Sequence, residues 1–220
     1  SKNAIRKITL KSKGVSTIGG KDLWFDEDIN RLNEDGRGRY LGQFNSGDHI
    51  LAVFRNGTYY TTSFDLSNRY QGDLLLIEKF EPGKTFSAIY CDGTQKCLYI
   101  KRFSFDISDN TTVTFIPETK GSYLVQLTDD RHPQMELTFG GKHEYREPEH
   151  VDVEAFIAKK GIQAKGKKVS QYEVAKAAFI EPVHRPEDDI ELPDATEAPA
   201  PDSGDGTDDQ ADDMTTPSLF

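Results

Sequence analysis

The sequence predicts an all-β fold in which hairpins recur along the chain like the blades of a propeller. The clearest hairpin lies in His49–Phe64, where Asn56 and Gly57 separate two runs rich in β-branched and aromatic residues. Similar stretches follow at Phe86–Phe105 and Tyr123–Phe139. A hairpin that repeats with a period of this size is typical of propeller-like folds. An ordinary meander of hairpins with similar lengths is the alternative.

The turn residues indicate the period of the repeat and the register of the first hairpin. Gly57 and Gly93 are 36 residues apart, and Arg131 in the third turn region lies 38 residues beyond Gly93. Asn-Gly favours a two-residue type I′ turn because both residues tolerate positive φ. A turn of this type predicts that Phe54 faces Tyr59 across the hairpin.

The charge of the chain changes abruptly near residue 186. Twelve of the 37 acidic residues lie between Glu187 and Phe220, and this stretch contains no lysine or arginine. The preceding residues therefore hold 27 basic and 25 acidic side chains, a net charge of +2. A stretch that is acidic and poor in large apolar residues cannot bury enough surface to fold. We expect a folded body over residues 1–186 and a disordered tail over residues 187–220.

Several classes of protein find no support in the sequence. No apolar run is as long as a membrane-spanning helix, and the first ten residues lack the apolar core of a secretion signal. The expected location is therefore cytoplasmic. The histidines, cysteines and carboxylates do not have the spacing of a metal site or of a nucleophile–base motif. The sequence predicts no cofactor, no metal and no catalytic residue.

A stretch rich in glycine and arginine lies between residues 31 and 44. Gly36, Gly38 and Gly42 are interspersed with Arg37 and Arg39. Glycines allow a backbone to approach a phosphate closely, and guanidinium groups donate paired hydrogen bonds to it. The stretch lacks the ending of a P-loop and the spacing of a dinucleotide fingerprint. A phosphate contact and a glycine-rich turn between strands are equally compatible with it.

The densest cluster of positive charge follows the third hairpin. Within ten residues the chain carries five lysines, Lys159, Lys160, Lys165, Lys167 and Lys168. Two glycines interrupt the run, which predicts an exposed basic loop or an edge strand. A solvated loop without a ligand is the ordinary alternative.

Two short helices are predicted around this cluster. Apolar residues at helical spacing predict a helix over Asp152–Lys160, with Gly161 as the residue that follows its C-terminus. Ser170 and Glu173 have the spacing of a capping box for a final helix that ends near Phe179.

These stretches resemble the C-terminal domain of the A subunits of bacterial type IIA topoisomerases, and topoisomerase IV is a closer match than gyrase. The resemblance rests on Leu23–Phe44, Gly47–Thr62, Tyr99–Phe103 and Phe156–Lys168, and it covers most of the body. In that family the domain is a β-pinwheel, a ring of hairpin blades that contacts and bends duplex DNA on its outer rim. The resemblance implies two further partners, the N-terminal breakage-reunion domain of the same polypeptide and the ATPase (B-type) subunit of the holoenzyme.

The resemblance is incomplete in two places. Gyrase subunits carry a glutamine-, arginine- and glycine-rich box for chiral wrapping of DNA, and only Gly36, Arg37 and Gly38 preserve its character here. This departure implies the milder role of topoisomerase IV. The sequence that follows the nucleophilic tyrosine of the family is also missing. The resemblance therefore implies an accessory domain that presents a duplex to a catalytic core for ATP-dependent strand passage.

The candidate DNA contacts are basic residues that would pair with phosphates without reading bases. The first group is Arg37, Arg39, Lys165, Lys167 and Lys168, and the second is Lys11, Lys13 and Lys101. A propeller-like domain that binds a protein rather than DNA is the alternative. The small net charge of the body is compatible with both.

Overall fold

The computed structural model describes residues 20–185, so Lys11, Lys13 and the acidic tail lie outside the described part. The described strands are β1 Lys21–Asp26, β2 Arg31–Asn33, β3 Arg39–Phe44, β4 His49–Phe54, β5 Thr58–Ser63, β6 Leu74–Lys79, β7 Phe86–Asp92, β8 Cys97–Phe103, β9 Val113–Thr114, β10 Tyr123–Thr128, β11 Gln134–Phe139, β12 Glu149–Asp152, β13 Lys167–Lys168 and β14 Val174–Ile180. The helix α1 spans Val153–Phe156, and one 3₁₀ turn spans Gly141–His143. The chain divides into two compact units between Val183 and His184, and all of these strands belong to the first unit.

Each of the four antiparallel sheets is built around a hairpin. The hairpins are β1–β2, β4–β5, β7–β8 and β11–β12, and we number their sheets 1 to 4 in this order. A third strand pairs with the first strand of each hairpin, namely β3 with β1, β6 with β4, β10 with β7 and β14 with β11. The same unit therefore recurs four times in the described residues.

The chain between the hairpin and the third strand of a sheet crosses back to the preceding sheet. Before β6, Arg69 pairs with Arg31 at the edge of sheet 1. Before β10, β9 pairs with β5 in sheet 2, and before β14, β13 pairs with β8 in sheet 3. We call residues 64–73, 104–122 and 157–173 crossing segments 1, 2 and 3. They interlock consecutive sheets, because sheets 1, 2 and 3 each receive their outermost pairing from the next unit.

The sheets pack face to face in chain order. In β4, Ile50 and Ala52 face sheet 1, whereas Leu51 and Val53 face sheet 3. A third apolar core joins sheets 3 and 4. Sheets 2 and 3 are thus covered on both sides, and β4 and β7 are buried over almost their whole length. Blades that cover one another in this way confirm the predicted all-β, propeller-like class.

The hairpin β4–β5, which is the first one predicted from the sequence, has a different turn from the one expected. Val53 pairs with Tyr59, and the Gly57 N–H donates to the carbonyl oxygen of Phe54 at 3.0 Å. Gly57 has a φ of +80°, whereas Asn56 does not have a positive φ. This is a three-residue loop in which a type I turn precedes a left-handed residue. The predicted register was wrong by one residue.

The third predicted hairpin is not a hairpin. β10 pairs with β7 in sheet 3, whereas β11 pairs with β12 and β14 in sheet 4. The turn residues Asp129–Arg131 therefore connect two different sheets. The pattern of two strands and a polar turn was recognised correctly, but the pairing inferred from it was wrong.

One of the two predicted helices is present, but it ends at Phe156 and not at Lys160, because Ile157 is extended. The carboxylate of Asp152 accepts hydrogen bonds from the N–H groups of Glu154 and Ala155 and caps α1. The second predicted helix is wrong, since its C-terminal half forms β14. Ala177 of β14 is buried in the core between sheets 3 and 4, so packing against β11 determines the conformation of this stretch.

Candidate nucleic-acid interface

Crossing segment 3 places a run of lysines on the outer edge of sheet 3. Lys167 and Lys168 form β13 and pair with Ile100 and Tyr99 of β8. The five lysines between residues 159 and 168 are all exposed. The predicted basic stretch is therefore both a loop and an edge strand, and its side chains face solvent.

The backbone of crossing segment 3 is held close to the interior of sheet 3. The hydroxyl of the buried Tyr90 donates to the carbonyl oxygen of Lys165 at 2.5 Å. Gly166 has a φ of +88°, and a Cβ at this position would lie 2.3 Å from the carbonyl oxygen of Ile100. Only glycine fits such a close approach. The lysine side chains thus extend from a backbone that is fixed before any ligand arrives.

Lys101 lies beneath this segment and not on the surface. The residue is only 2% exposed, and its ammonium donates to the carbonyl oxygens of Phe115 at 2.6 Å and Ile162 at 2.5 Å. These acceptors belong to crossing segments 2 and 3. Burial lowers the pKa of Lys101 to about 8, because the charged form loses its hydration. No carboxylate among the described residues contacts the ammonium to offset this effect. This position removes Lys101 from the candidate phosphate contacts, contrary to the expectation from sequence.

The exposed lysines differ in how far their charge is already satisfied. The Lys165 ammonium lies 3.0 Å from the carboxylate of Asp92, which raises the pKa of Lys165 and lowers that of Asp92. Lys167 lies 3.8 Å from the centroid of the Phe156 ring. Within the described part of the chain, Lys160 and Lys168 form no ion pair. These last two ammonium groups are the most available to an anion.

Arg37 and Arg39 lie on sheet 1 and not beside the lysines. The Arg37 guanidinium is 3.3 Å from the carboxylate of Asp35 in the turn between β2 and β3. Arg39 donates to the carbonyl oxygen of Ile77 at 2.8 Å and lies 3.8 Å from the carboxylate of Glu27. Sheet 2 separates these arginines from sheet 3. The structure therefore divides the predicted contacts into two groups. Within the glycine-rich stretch, residues 34–38 form the turn between β2 and β3, and Gly42 lies in β3.

A cleft of about 340 Å³ adjoins the lysine edge, and the sequence interpretation missed it. Its lining includes Lys168, His143 and Glu173, and also Lys96, which lies in the turn between β7 and β8. Lys96 is exposed and has a φ of +49°. A lysine in a hairpin turn carries no distinctive motif. Only the pairing of β13 with β8 brings it near the lysines of crossing segment 3.

Residues 20–185 contain neither a metal-binding cluster nor a membrane-spanning helix. No group of three or more histidine, cysteine or acidic side chains is arranged to hold a metal ion. No helix in this range is long and apolar enough to cross a membrane.

The interlocked sheets and the lysine edge define a propeller-like β domain with a cationic surface on one blade. The sequence model of the topoisomerase C-terminal domain of Bacteroidota matches residues 31–181. The chain belongs to this family, whose members are non-catalytic accessory domains of topoisomerases.

A solved structure is also similar to this chain. It is the crystal structure of the C-terminal domain of DNA topoisomerase IV, with 10% sequence identity and a TM-score of 0.44. The match covers 66% of this chain and 50% of that chain, so it spans only half of the other protein. No curated protein matches the sequence.

Proposed function

We propose that this domain binds and bends duplex DNA as an accessory part of the A subunit of topoisomerase IV, which is a type IIA topoisomerase. It presents a DNA segment to the breakage-reunion domain of the same polypeptide, for strand passage driven by the ATPase (B-type) subunit. The observation that carries the proposal is the net charge of +4 on crossing segment 3, which has five lysines and one glutamate. The holoenzyme acts at the nucleoid, in the cytoplasm.

The anchored backbone of crossing segment 3 supports this proposal energetically. Binding an anion to a mobile loop costs free energy, because the loop must become ordered. Here Tyr90 and Gly166 already hold the backbone against β8, so the cost is limited to the lysine side chains. Ammonium groups pair with phosphates as point charges and do not distinguish bases. We therefore expect binding without sequence preference.

A matched pair of double variants tests the proposal. Lys160→Gln/Lys168→Gln removes the two most available ammonium groups, and Lys21→Gln/Arg69→Gln removes the same charge from exposed positions on sheet 1 and crossing segment 1. Each lost phosphate contact reduces the slope of log K against log salt by about 0.9. The first variant should bind roughly 10- to 100-fold more weakly near 0.1 M salt, with a slope that is less steep by about 1.8. Fluorescence anisotropy with a labelled duplex measures both quantities.

The control variant separates a local contact from a general charge effect. It should bind within about threefold of the wild type, because distant exposed charges are screened at this ionic strength. Equal losses in the two variants would mean that crossing segment 3 is not the contact. Wild-type binding that does not change with salt would contradict phosphate binding altogether.

A protein-binding domain is the second candidate, and one surface favours it. On the outer face of sheet 1, the rings of Trp24 and Tyr40 lie 5.1 Å apart, and Tyr40 is 52% exposed. Aromatic residues of this kind are enriched at protein interfaces. A domain with this function alone would show no salt-dependent affinity for duplex DNA in the same titrations.

The acidic tail leads to a separate prediction about regulation. The composition predicts that residues 187–220 are a disordered extension of the body, and such a tether gives an effective concentration of order millimolar. We expect the twelve carboxylates to compete with DNA for Lys165–Lys168. Deletion of Glu187–Phe220 should therefore tighten duplex binding, most strongly at low salt, and the gain should shrink as ionic strength rises. Unchanged affinity of the truncated chain at low salt would contradict this competition.

A further inference from the structure

The three crossing segments occupy equivalent places in sheets 1, 2 and 3 but differ in charge. Crossing segment 1 holds one basic and two acidic residues, and crossing segment 2 holds one basic and three acidic residues. Their net charges are −1 and −2, whereas crossing segment 3 carries +4. A repeated architecture therefore presents one cationic edge and two weakly anionic ones.

The rest of sheet 1 is also anionic. Residues 20–44 contain four basic and six acidic side chains, a net charge of −2. Arg37 already lies beside Asp35, and Arg39 already donates to the carbonyl oxygen of Ile77. A phosphate at this sheet would have to replace these partners and approach the surrounding carboxylates.

We propose that duplex DNA contacts a single edge of the domain, crossing segment 3, and that the acidic segments of sheets 1 and 2 exclude it from their edges. This inference rests on the proposed DNA-binding function and specifies where and how extensively the duplex is held. The duplex does not follow the series of blades. It crosses sheet 3 and leaves the protein on both sides.

The number of charges limits the size of the contact. Crossing segment 3 offers five lysines, and one of them already pairs with Asp92. Neutralising three to five phosphates gives a slope of roughly −3 to −4.5 in log K against log salt. So few phosphates on one side of a duplex correspond to about one helical turn, or about 10 base pairs. Any bend is confined to this turn.

The first experiment varies the length of the DNA with the full chain. Duplexes of about 12, 24 and 48 base pairs, roughly one, two and four helical turns, are titrated at several salt concentrations, and the footprint is mapped by hydroxyl-radical cleavage. A single-edge contact predicts the same affinity per available site and the same salt slope at every length. It also predicts protection of about one turn.

The possible outcomes separate the inference from the proposed function. An affinity per site and a slope that both grow with length, with protection over several turns, would overturn the single-edge contact and leave DNA binding intact. No binding of any duplex at low salt would overturn both.

A gain-of-contact variant tests the role of the acidic segments directly. Asp106 and Glu118 are exposed residues of crossing segment 2. Asp106→Lys/Glu118→Lys should extend the footprint beyond one turn on the long duplex and steepen the salt slope by about 1.8. Asp106→Asn/Glu118→Gln should give a smaller change of the same sign. A footprint that stays at one turn in the charge-reversed variant, with an unchanged melting temperature, would show that these carboxylates do not exclude the duplex.

Discussion

Gly57→Val is expected to destabilise the domain by about 2–5 kcal/mol, because backbone strain and steric overlap add at this position. Gly57 has a φ of +80°, which β-branched residues strongly resist. A Cβ at Gly57 would lie 2.1 Å from Cγ1 of Ile116, which is buried in the core between sheets 2 and 3. In addition, the Gly57 carbonyl accepts a hydrogen bond from the N–H of Phe115 at 3.0 Å. The substitution therefore disturbs the hairpin and crossing segment 2 together.

A second glycine with the same φ separates the two contributions. Gly36 also has a φ of +80°, but apart from its chain neighbours no atom of residues 20–185 lies within 4 Å of a Cβ built there. Gly36→Val should therefore cost only the backbone strain, about 1–3 kcal/mol. Thermal unfolding measures both variants, and each kcal/mol corresponds to a fall of roughly 2–4 °C in Tm for a domain of this size. Equal losses would mean that Ile116 moves aside freely, and no loss at Gly57 would contradict the left-handed loop.

The sequence predicted the fold class because its strongest signals are local. Asn56-Gly57 and the flanking β-branched and aromatic runs correctly indicate a hairpin. The turn type was wrong because a two-residue and a three-residue loop both use glycine in the left-handed region. A two-residue loop would pair Tyr59 with Phe54, whereas the three-residue loop pairs it with Val53, a difference of one residue.

Pairing between distant segments could not be predicted. β9 and β13 have two residues each, too few to show an alternating pattern. The same limit explains the third hairpin, since neighbouring strands in the chain need not pair with each other. Ser170 and Glu173 match a helix signal, but the Ser170 hydroxyl instead accepts from the N–H of Tyr172 in a turn. Packing of β14 against β11 overrides the local preference.

The candidate site was predicted in part for a related reason. Lys101 and Arg102 are neighbours in β8, so alternation along the strand directs them to opposite faces of sheet 3. It does not indicate that sheet 3 lies between two other sheets, so that both faces are covered. Lys101 is consequently buried, and Arg102 pairs with Glu154 of α1 at 2.9 Å. The lysines of crossing segment 3 were recognised because a dense run of charge needs no tertiary information.

The buried ammonium of Lys101 leads to the second large effect, a pH dependence of stability that Lys101→Met should abolish. The pKa of Lys101 is about 8 in the folded protein and has its ordinary value of 10.5 when the side chain is in water. Between these two values the unfolded state binds more protons, so the free energy of unfolding rises with pH. The unfavourable burial of the charge is fully present below pH 8 and is relieved as the pH approaches 10.5. The shift corresponds to a rise on the order of 3 kcal/mol.

The comparison of wild type with Lys101→Met isolates this effect from other groups that titrate at high pH. Burial raises the pKa of Tyr70 to about 12 and also raises that of Tyr90, which lowers stability above about pH 10 in both proteins. Methionine leaves the carbonyl oxygens of Phe115 and Ile162 without this donor, which costs about 1–3 kcal/mol each, while it removes the buried charge. The loss of the two hydrogen bonds does not depend on pH, so it shifts the variant by a constant amount, whereas removal of the titrating ammonium removes the pH dependence that it causes. Urea unfolding at intervals between about pH 7 and 10.5 should show the wild type gaining stability relative to the variant. A difference that stays constant over this range would mean that Lys101 titrates with its ordinary pKa and is therefore hydrated in the folded domain.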